Sequence, residues 1–254
     1  MSLAGKVAVV LGASAKGGIG WAIAEALAAD GAMLVVGARS IDPLRQLARQ
    51  IGGCAVQCDA TRPDDIEHLA RTTLAEHGRL DIAVNVAGDT AVGLISEIDP
   101  AMVQQSLDIN YIAHFHFVRA MAQGMEHGGS ITLMSSNLAV QPVPTRFAYG
   151  CAKAATDCLV RHAAMEYGPR GIRVNSIQPG PVWTDMAANL LSMPGVEEQM
   201  VRQMPVGRIA APGDIANIVR WLSLEPGYLT GLNLPASGGM HLTQPPRMDR
   251  IMAG

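Results

Sequence analysis

A tyrosine and a lysine four positions apart, Tyr149 and Lys153, are the residues of this sequence with the clearest potential for chemistry. The chain has only three lysines and relies on arginine for its other cations, so a lysine at this position stands out. On a helix, this spacing places both side chains on one face, about one turn apart. A nearby ammonium group favours the phenolate and would lower the pKa of Tyr149 from its usual value of about 10, which would make the phenol a usable acid and base. The alternative is a buried tyrosine next to a lysine that faces solvent.

A glycine-rich segment follows the first apolar run and is typical of a loop that binds phosphate. It reads Leu-Gly-Ala-Ser-Ala-Lys-Gly-Gly-Ile-Gly over positions 11–20 and opens a predicted helix. Glycines let the backbone approach a pyrophosphate closely, and the free N–H groups at the start of the following helix favour anions. The alternative is a turn whose glycines serve only the packing of strand against helix. The residues of this segment that we expect to contact a dinucleotide are Gly12, Ser14, Lys16, Gly18, Ile19 and Gly20.

The choice of dinucleotide should depend on the end of the second predicted strand, at positions 35–40, which contains Arg39 and no acidic residue. A carboxylate there would bind the ribose of NAD, whereas an arginine accommodates the extra phosphate of NADP. Arg39 can contact a phosphate at two points, and Lys16 would add a second positive charge. Both could instead be ordinary solvated cations. The sequence favours NADP(H), with NAD(H) as the alternative.

The elements that must position these residues follow from the pattern of the whole chain, in which short Val/Ile/Leu-rich runs alternate with amphipathic stretches. The predicted strands are 6–11, 32–37, 54–58, 80–86, 129–135, 172–178 and 231–235. The predicted helices are 19–30, 42–51, 63–77, 100–125, 147–168 and 212–223. Repeated strand–helix–strand units predict an α/β protein in which residues 1–254 form a single domain, with one doubly wound, Rossmann-like parallel sheet of about seven strands. Such sheets bind ligands beyond the carboxyl ends of their strands.

The composition excludes several kinds of partner and site. The chain has 19 Lys and Arg against 22 Asp and Glu, a net charge of −3 and no basic cluster, which argues against nucleic acid or an acidic membrane as partner. The apolar runs are too short for a membrane span or a signal peptide, so we expect a cytoplasmic protein. His114 and His116 would face different sides of a helix and are expected to be partly exposed structural residues. We therefore predict no metal site.

Together these residues resemble the short-chain dehydrogenase/reductase family, from residue 3 to about residue 240. The Asn-Asn-Ala-Gly motif of that family appears as Asn-Val-Ala-Gly at positions 85–88. Its structural and catalytic asparagine matches Asn110, and its catalytic serine matches Ser136, thirteen residues before Tyr149. Its Pro-Gly segment, whose threonine usually meets the nicotinamide carboxamide, matches positions 179–184.

The resemblance implies hydride transfer between a nicotinamide and a ketone or secondary alcohol. In such a reaction Tyr149 would exchange the proton, and Lys153 would lower the pKa of Tyr149 and bind the nicotinamide ribose. Ser136 would hydrogen-bond the substrate oxygen, and Asn110 would hold a water that links Lys153 to solvent. The other residues expected to contact the cofactor, in addition to Tyr149 and Lys153, are Asp59, Ala60, Asn85, Ala87, Gly88, Pro179, Gly180 and Thr184.

Two features depart from the family pattern. The glycine loop has two more residues than usual between its first and second glycines, and Leu11 replaces the customary threonine. Enoyl reductases of this superfamily have loops of similar length but a wider Tyr–Lys spacing, so the sequence favours carbonyl over enoyl chemistry. Near the C-terminus the usual Val-Asp-Gly-Gly reads Ala-Ser-Gly-Gly over positions 236–239, in a segment that often packs between subunits.

The segment 183–204 is predicted to cover the substrate as a flap, and it is the part of the sequence that indicates what the substrate is. Four methionines, Met186, Met193, Met200 and Met204, make this segment apolar and adaptable, which favours a bulky or hydrophobic ketone. They could equally be core positions of short helices.

The resemblance also implies a homo-oligomer, because the family is usually tetrameric; a dimer is the alternative. The helix over 147–167 has apolar residues on more than one face, which suits packing against both the sheet and a neighbour. The tail 241–254 could cross to that neighbour or fray. Two other functions stay open: an NAD-dependent alcohol dehydrogenase of the same family, and a non-catalytic dinucleotide sensor, which would be expected to lose Tyr149 or Lys153.

Overall fold

A seven-stranded sheet with the order β3-β2-β1-β4-β5-β6-β7 forms the centre of the molecule in a computed structural model that describes residues 2–224 and 227–243. All six pairs of neighbouring strands are parallel. The strands are β1 Val7–Leu11, β2 Met33–Ala38, β3 Cys54–Gln57, β4 Ile82–Asn85, β5 Gly129–Met134, β6 Ile172–Pro179 and β7 Asn233–Ala236. The predicted doubly wound α/β sheet is confirmed.

Helices connect these strands on both faces of the sheet. They are α1 Ile19–Ala29, α2 Ile41–Ile51, α3 Pro63–His77, α4 Pro100–Leu107, α5 Ala113–Gly124, α6 Phe147–Tyr167, α7 Asp185–Leu191, α8 Val196–Arg202 and α9 Pro212–Ser223. Two differences from the predicted helices bear on the site. The predicted helix 100–125 is α4 and α5 joined by a π-helical turn, Asp108–Ile112, and the predicted flap 183–204 contains α7 and α8.

The sheet is apolar on both faces because successive strand residues point to opposite sides. Val10 and Val36 pack in a buried layer with α1, α2 and α9. Val9 and Val35, their neighbours in sequence, pack in the other layer with α3, α5 and α6. Strands buried on both faces read as continuous apolar runs, which is why the runs in this sequence predict them well.

The order of the strands creates a switch point between β1 and β4. The chain leaves β1 towards β2 and β3, then returns to the other side of β1 with β4, so the loops after β1 and β4 diverge at the carboxyl edge. The Val86 N–H donates to the carbonyl of Leu11 at 2.9 Å and aligns these two loops. No helix in the described ranges is long and apolar enough to cross a membrane. Most of the predicted tail, 244–254, lies outside the described residues.

Candidate active site

The glycine loop between β1 and α1 packs directly on the end of β4. Gly12 has a φ of +93°, and a Cβ atom there would lie 2.7 Å from the Ala87 nitrogen. A Cβ atom at Gly20 would collide with the Gly12 carbonyl oxygen. Helix α1 begins at Ile19, so the N–H groups of its first turn have no partner within the helix. The loop thus presents backbone donors with little side-chain bulk, which fits the pyrophosphate of a dinucleotide.

The longer loop is accommodated by a turn on the surface. The N–H of Gly18 donates to the carbonyl of Ala15 at 2.9 Å, and Gly17 has a φ of +72°. Lys16 lies in this turn and is exposed, as are both of its neighbours. The exposed turn therefore accounts for the added length, while Gly12 and Gly20 make the close contacts with the loop after β4.

Arg39 follows β2 and is exposed at the same edge of the sheet, beside the segment that follows β3. In that segment, burial raises the pKa of Asp59, but hydrogen bonds from Thr61 and the charges of Arg39 and Arg62 outweigh burial and hold the pKa below its usual value. The Thr61 hydroxyl donates to the Asp59 carboxylate at 2.7 Å. Arg39 and Asp59, both predicted to contact the cofactor, are thus within electrostatic reach of each other, and Ala60 is buried beside them.

The loop after β4 brings the cofactor residues to the catalytic residues. Asn85 is fully buried, and its side-chain oxygen accepts from the Ala87 N–H at 2.9 Å, while its amide nitrogen has no hydrogen-bond partner. A Cβ atom at Gly88 would lie 2.8 Å from Oδ1 of Asn110 and 3.5 Å from Nζ of Lys153. The absence of a side chain at Gly88 therefore lets these two groups approach the loop.

Asn110 lies in the π-helical turn between α4 and α5, a local geometry that is frequent at functional sites. Its amide nitrogen donates to the carbonyls of Asp89 at 2.9 Å and Ser106 at 3.0 Å. The backbone carbonyl of Asn110 accepts from the Thr156 hydroxyl of α6 at 2.6 Å. Asn110 thereby ties the loop after β4 to the helix that carries the predicted Tyr–Lys pair.

Tyr149 and Lys153 lie on one face of α6, as their spacing predicts, with Nζ of Lys153 5.6 Å from the centre of the Tyr149 ring. Ser136 follows β5 and is buried. Its Oγ accepts from the Leu138 N–H at 3.2 Å, and its hydroxyl is near enough to Tyr149 to lower the pKa of that phenol. The structure therefore brings the predicted Ser136, Tyr149 and Lys153 together at the carboxyl edge of the sheet.

Burial controls the pKa values of this group. It raises the pKa of Tyr149, and the hydrogen bond with Ser136 and the charge of Arg146 offset it only in part. It lowers the pKa of Lys153 to about 7, against the opposite effect of Asp157. The pKa of Tyr149 is thus raised, not lowered as expected, because burial outweighs the effects of Ser136 and Arg146.

Asp157 is a buried carboxylate that was not predicted as a site residue. It lies one turn beyond Lys153 on α6 and is 5% exposed. Its two oxygens accept from the Ser176 hydroxyl at 2.9 Å and the Gln178 amide at 2.7 Å, both on β6. The signal that could have identified it is the same four-residue spacing that marks Tyr149 and Lys153.

His114 is fully buried, so the expectation of a partly exposed residue is wrong. It follows Asn110 by one turn, on the face of α5 that packs against the sheet. Burial and the charge of Lys153 hold the pKa of His114 well below its usual range, and the Ala87 backbone opposes them weakly. Neither ring nitrogen makes a well-formed hydrogen bond. Within the described ranges, no group of three His, Cys, Asp or Glu could hold a metal ion.

The segment after β6 completes the edge. β6 ends at Pro179, and the Gly180 N–H donates to the Ala236 carbonyl of β7 at 3.3 Å. Thr184 is the N-cap residue of α7, and its side chain makes no capping hydrogen bond. Because β6 pairs with β5 as far as Ile177 and Met134, Pro179 and Ser136 both follow that pairing by two residues, at the same edge of the sheet.

The methionines of the flap divide between two environments. Met200 and Met204 are buried in a small apolar cluster that includes Leu191 and Met240, so for them the alternative of core positions is correct. Met193 is 36% exposed. The side chain of Met186 lies outside the described part of the structure.

The parallel sheet, the glycine loop at its switch point and the group around Tyr149 define a dinucleotide-binding oxidoreductase. A family model described as enoyl-(acyl carrier protein) reductase matches residues 12–241. The chain belongs to the short-chain dehydrogenase/reductase family, whose members bind NAD(P)(H).

Individual relatives agree with this assignment. The 7alpha-hydroxysteroid dehydrogenase of Escherichia coli K12 is 33% identical over 249 residues, 94% of this chain and 95% of the relative. A 3-oxoacyl-acyl-carrier-protein reductase of Vibrio cholerae is 33% identical over 250 residues, 95% of this chain and 100% of the relative. The structure of a short-chain type dehydrogenase/reductase from Mycobacterium ulcerans superposes with a TM-score of 0.94 at 28% identity, over 99% of this chain and 95% of that one.

Proposed function

We propose that this chain interconverts a ketone and a secondary alcohol on a bulky, apolar substrate, with NADP(H) as cofactor and Tyr149 as acid and base. The observation that carries the proposal is the grouping of Ser136, Tyr149 and Lys153 at the edge of the sheet where the glycine loop lies. When bound there, the nicotinamide would supply or accept the hydride.

The protein residues would handle the proton and the substrate oxygen. Ser136 would hydrogen-bond that oxygen, and Tyr149 would donate its proton to it during reduction. Because burial raises the pKa of Tyr149, the protonated phenol is its resting form at neutral pH, which favours reduction of the ketone. A protonated Lys153 on the same helix face would stabilise the phenolate that remains.

The bulky substrate is supported by apolar side chains that stay exposed in the loops after β4, β5 and β6. Ile95 is 77% exposed and Val140 is 61% exposed. The others are Val92, Leu94, Trp183 and Met193. An exposed apolar rim beside a site of reaction is typical of ligand binding. We propose that the segment 183–204 closes over this rim. Two of the relatives are named for compounds of this kind, a hydroxysteroid and a 3-oxoacyl chain, in which a hydroxyl or oxo group stands on a large apolar framework.

A first experiment tests the role of the tyrosine. In Tyr149→Phe, NADPH oxidation with an activated ketone should fall by about three orders of magnitude or more, since general acid catalysis contributes up to about 10⁴-fold. NADPH binding, measured by fluorescence titration, should persist. The control is Tyr228→Phe, which removes the hydroxyl of a fully exposed tyrosine. Equal activity of Tyr149→Phe and wild type would contradict the mechanism.

NADP(H) is proposed because Arg39 is exposed after β2, positions 35–40 contain no acidic residue, and Lys16 lies in the nearby glycine loop. Arg39→Ala should raise the KM for NADPH about tenfold or more, equivalent to about 1.4 kcal/mol, and leave the KM for NADH nearly unchanged. Arg45→Ala, on the exposed surface of α2, is the matched control. If Arg39→Ala keeps the wild-type ratio of the KM values for NADPH and NADH, an NAD-dependent alcohol dehydrogenase would be favoured instead.

A substrate panel tests the apolar rim. Ketones on steroid and long acyl frameworks should have a higher kcat/KM than small charged ketones. Turnover confined to small charged ketones would exclude a bulky apolar substrate. The cytoplasmic location and the homotetramer stay predictions, and the second is tested by the variants discussed below.

A further inference from the structure

Lys153 is enclosed by groups from several elements, and only one of them is an anion. Its Nζ donates to the Met134 carbonyl of β5 at 2.7 Å, and the ring of Tyr149 lies on the same helix face. The neutral His114 faces it from α5, and Asn110 approaches from the π-helical turn. Among the described residues, Asp157 is the charged group that raises the pKa of Lys153.

Asp157 is held in place without a direct hydrogen bond to Lys153. Its carboxylate accepts from Ser176 and Gln178 on β6, and it is 5% exposed. Side chains one turn apart on a helix are near enough for opposite charges to shift an ionisation, and low solvent access strengthens the effect. Because both hydrogen-bond partners of Asp157 are neutral, its carboxylate acts on the Lys153 ammonium by electrostatic attraction and not through a direct hydrogen bond.

We propose that Asp157 is a positioning residue of the active site, whose negative charge, fixed by β6, extends the protonated form of Lys153 to higher pH. This assignment rests on the proposed function, which requires a cationic Lys153 next to Tyr149. Ser176 and Gln178 orient the carboxylate.

The ionisation of Lys153 can be measured directly. The chain has three lysines, so protein labelled with carbon-13 at the lysine Cε position should give three NMR signals, which Lys6→Arg and Lys16→Arg would assign. In Asp157→Asn, the midpoint of the Lys153 titration should move to lower pH by about one unit or more. Ser176→Ala removes a hydrogen bond and keeps the charge, so its midpoint should stay within a few tenths of wild type. Asp157→Ser, a second neutral variant, replaces Asp157→Asn if the latter does not fold.

The same shift should appear in turnover. The alkaline limb of the pH profile of kcat should move to lower pH in the neutral variants, in step with the NMR midpoint, and not in Ser176→Ala. An unmoved Lys153 midpoint in both neutral variants would overturn the assignment, as would an equal shift in Ser176→Ala. A shifted midpoint in a protein whose wild type reduces no ketone would instead uphold the electrostatic coupling and reject the proposed function.

Discussion

Lys153 imposes a cost on the folded protein that a surface lysine would not. Burial lowers its pKa from 10.5 to about 7, so the protonated form is held against its preference for water. Below neutral pH, this amounts to about 5 kcal/mol in free energy. Residues that are destabilising and yet present are expected where function requires them.

The lowered pKa of Lys153 predicts how the free energy of unfolding changes with pH. Between pH 7 and 10.5 the unfolded chain binds more protons at Lys153 than the folded chain does, so stability rises with pH in that window. We expect the free energy of unfolding of the wild type to gain about 2 kcal/mol between pH 7 and pH 9 relative to Lys153→Met, measured by urea denaturation at each pH. Above pH 9 the Cys58 thiol, whose pKa burial raises to about 12, adds the opposite trend.

The matched control is Lys16→Met, because Lys16 is exposed. Its stability should follow that of the wild type across the same range. At pH 7, Lys153→Met should be more stable than the wild type while losing ketone reduction. Parallel stability curves for the wild type and Lys153→Met would show that the lysine is not desolvated as the structure indicates.

Among the secondary-structure elements, the sequence predicted best those that depend on a local pattern of apolar residues or glycines. The apolar runs gave the strands, and the glycines at 12–20 located the turn into α1. The π-helical turn at Asn110 was missed because α4 and α5 keep one continuous apolar pattern across it. Its hydrogen bonds go to Asp89 and Thr156, which are distant in sequence, and no local pattern encodes them.

The sequence also missed the burial of His114 and Asp157 and the helices α7 and α8, because no local pattern encodes them either. Burial of His114 and Asp157 depends on which helix face meets the sheet, a tertiary property. Helices α7 and α8 have seven residues each, about two turns, which is too short for a reliable apolar period. Motif resemblance, by contrast, predicted Ser136 and Tyr149 as site residues without any knowledge of packing, and their catalytic role stays a prediction.

The loop before α6 contains a backbone conformation that the sequence did not indicate. Thr145 has a φ of 69°, the left-handed region, which is unfavourable for a β-branched residue. Its carbonyl accepts from the Gly93 N–H at 2.9 Å and so joins the apolar loop after β4 to the segment that precedes α6. The local strain is thus located where two walls of the proposed substrate site meet.

Relief of this strain is testable. Asparagine tolerates the left-handed region, so Thr145→Asn should raise the free energy of unfolding by about 1 kcal/mol, measured by urea denaturation. Thr145→Val keeps the β-branch and should give no such gain. A loss of stability in Thr145→Asn would indicate that the threonine side chain makes a larger contribution than the backbone strain costs.

For the whole molecule, α6 has two faces with different roles. Tyr149 and Lys153 face the site, whereas Cys151, Cys158 and Met165 lie on the exposed side, Met165 with 81% of its surface accessible. The neighbouring α5 adds Phe115 at 39% exposure, and Ile112 of the π-helical turn adds 38%. Cys151, Ala154 and Cys158 recur every three or four positions and form an exposed apolar stripe about two turns long, which Arg161 and His162 separate from Met165. Such a stripe is typical of a helix that packs against a further helix.

The proposed homotetramer would bury this stripe against a second copy of the chain. Light scattering should then give a mass near four times 26.7 kDa for the wild type. Ala154 is exposed at the centre of the stripe, so Ala154→Arg would place a charge in a closely packed helix pair and should reduce the mass to a smaller species. Ala75→Arg on the exposed surface of α3 is the matched control and should keep the wild-type mass. Because the same helix carries Tyr149, dissociation should also lower kcat; a monomeric wild type with full turnover would contradict both the tetramer and this dependence.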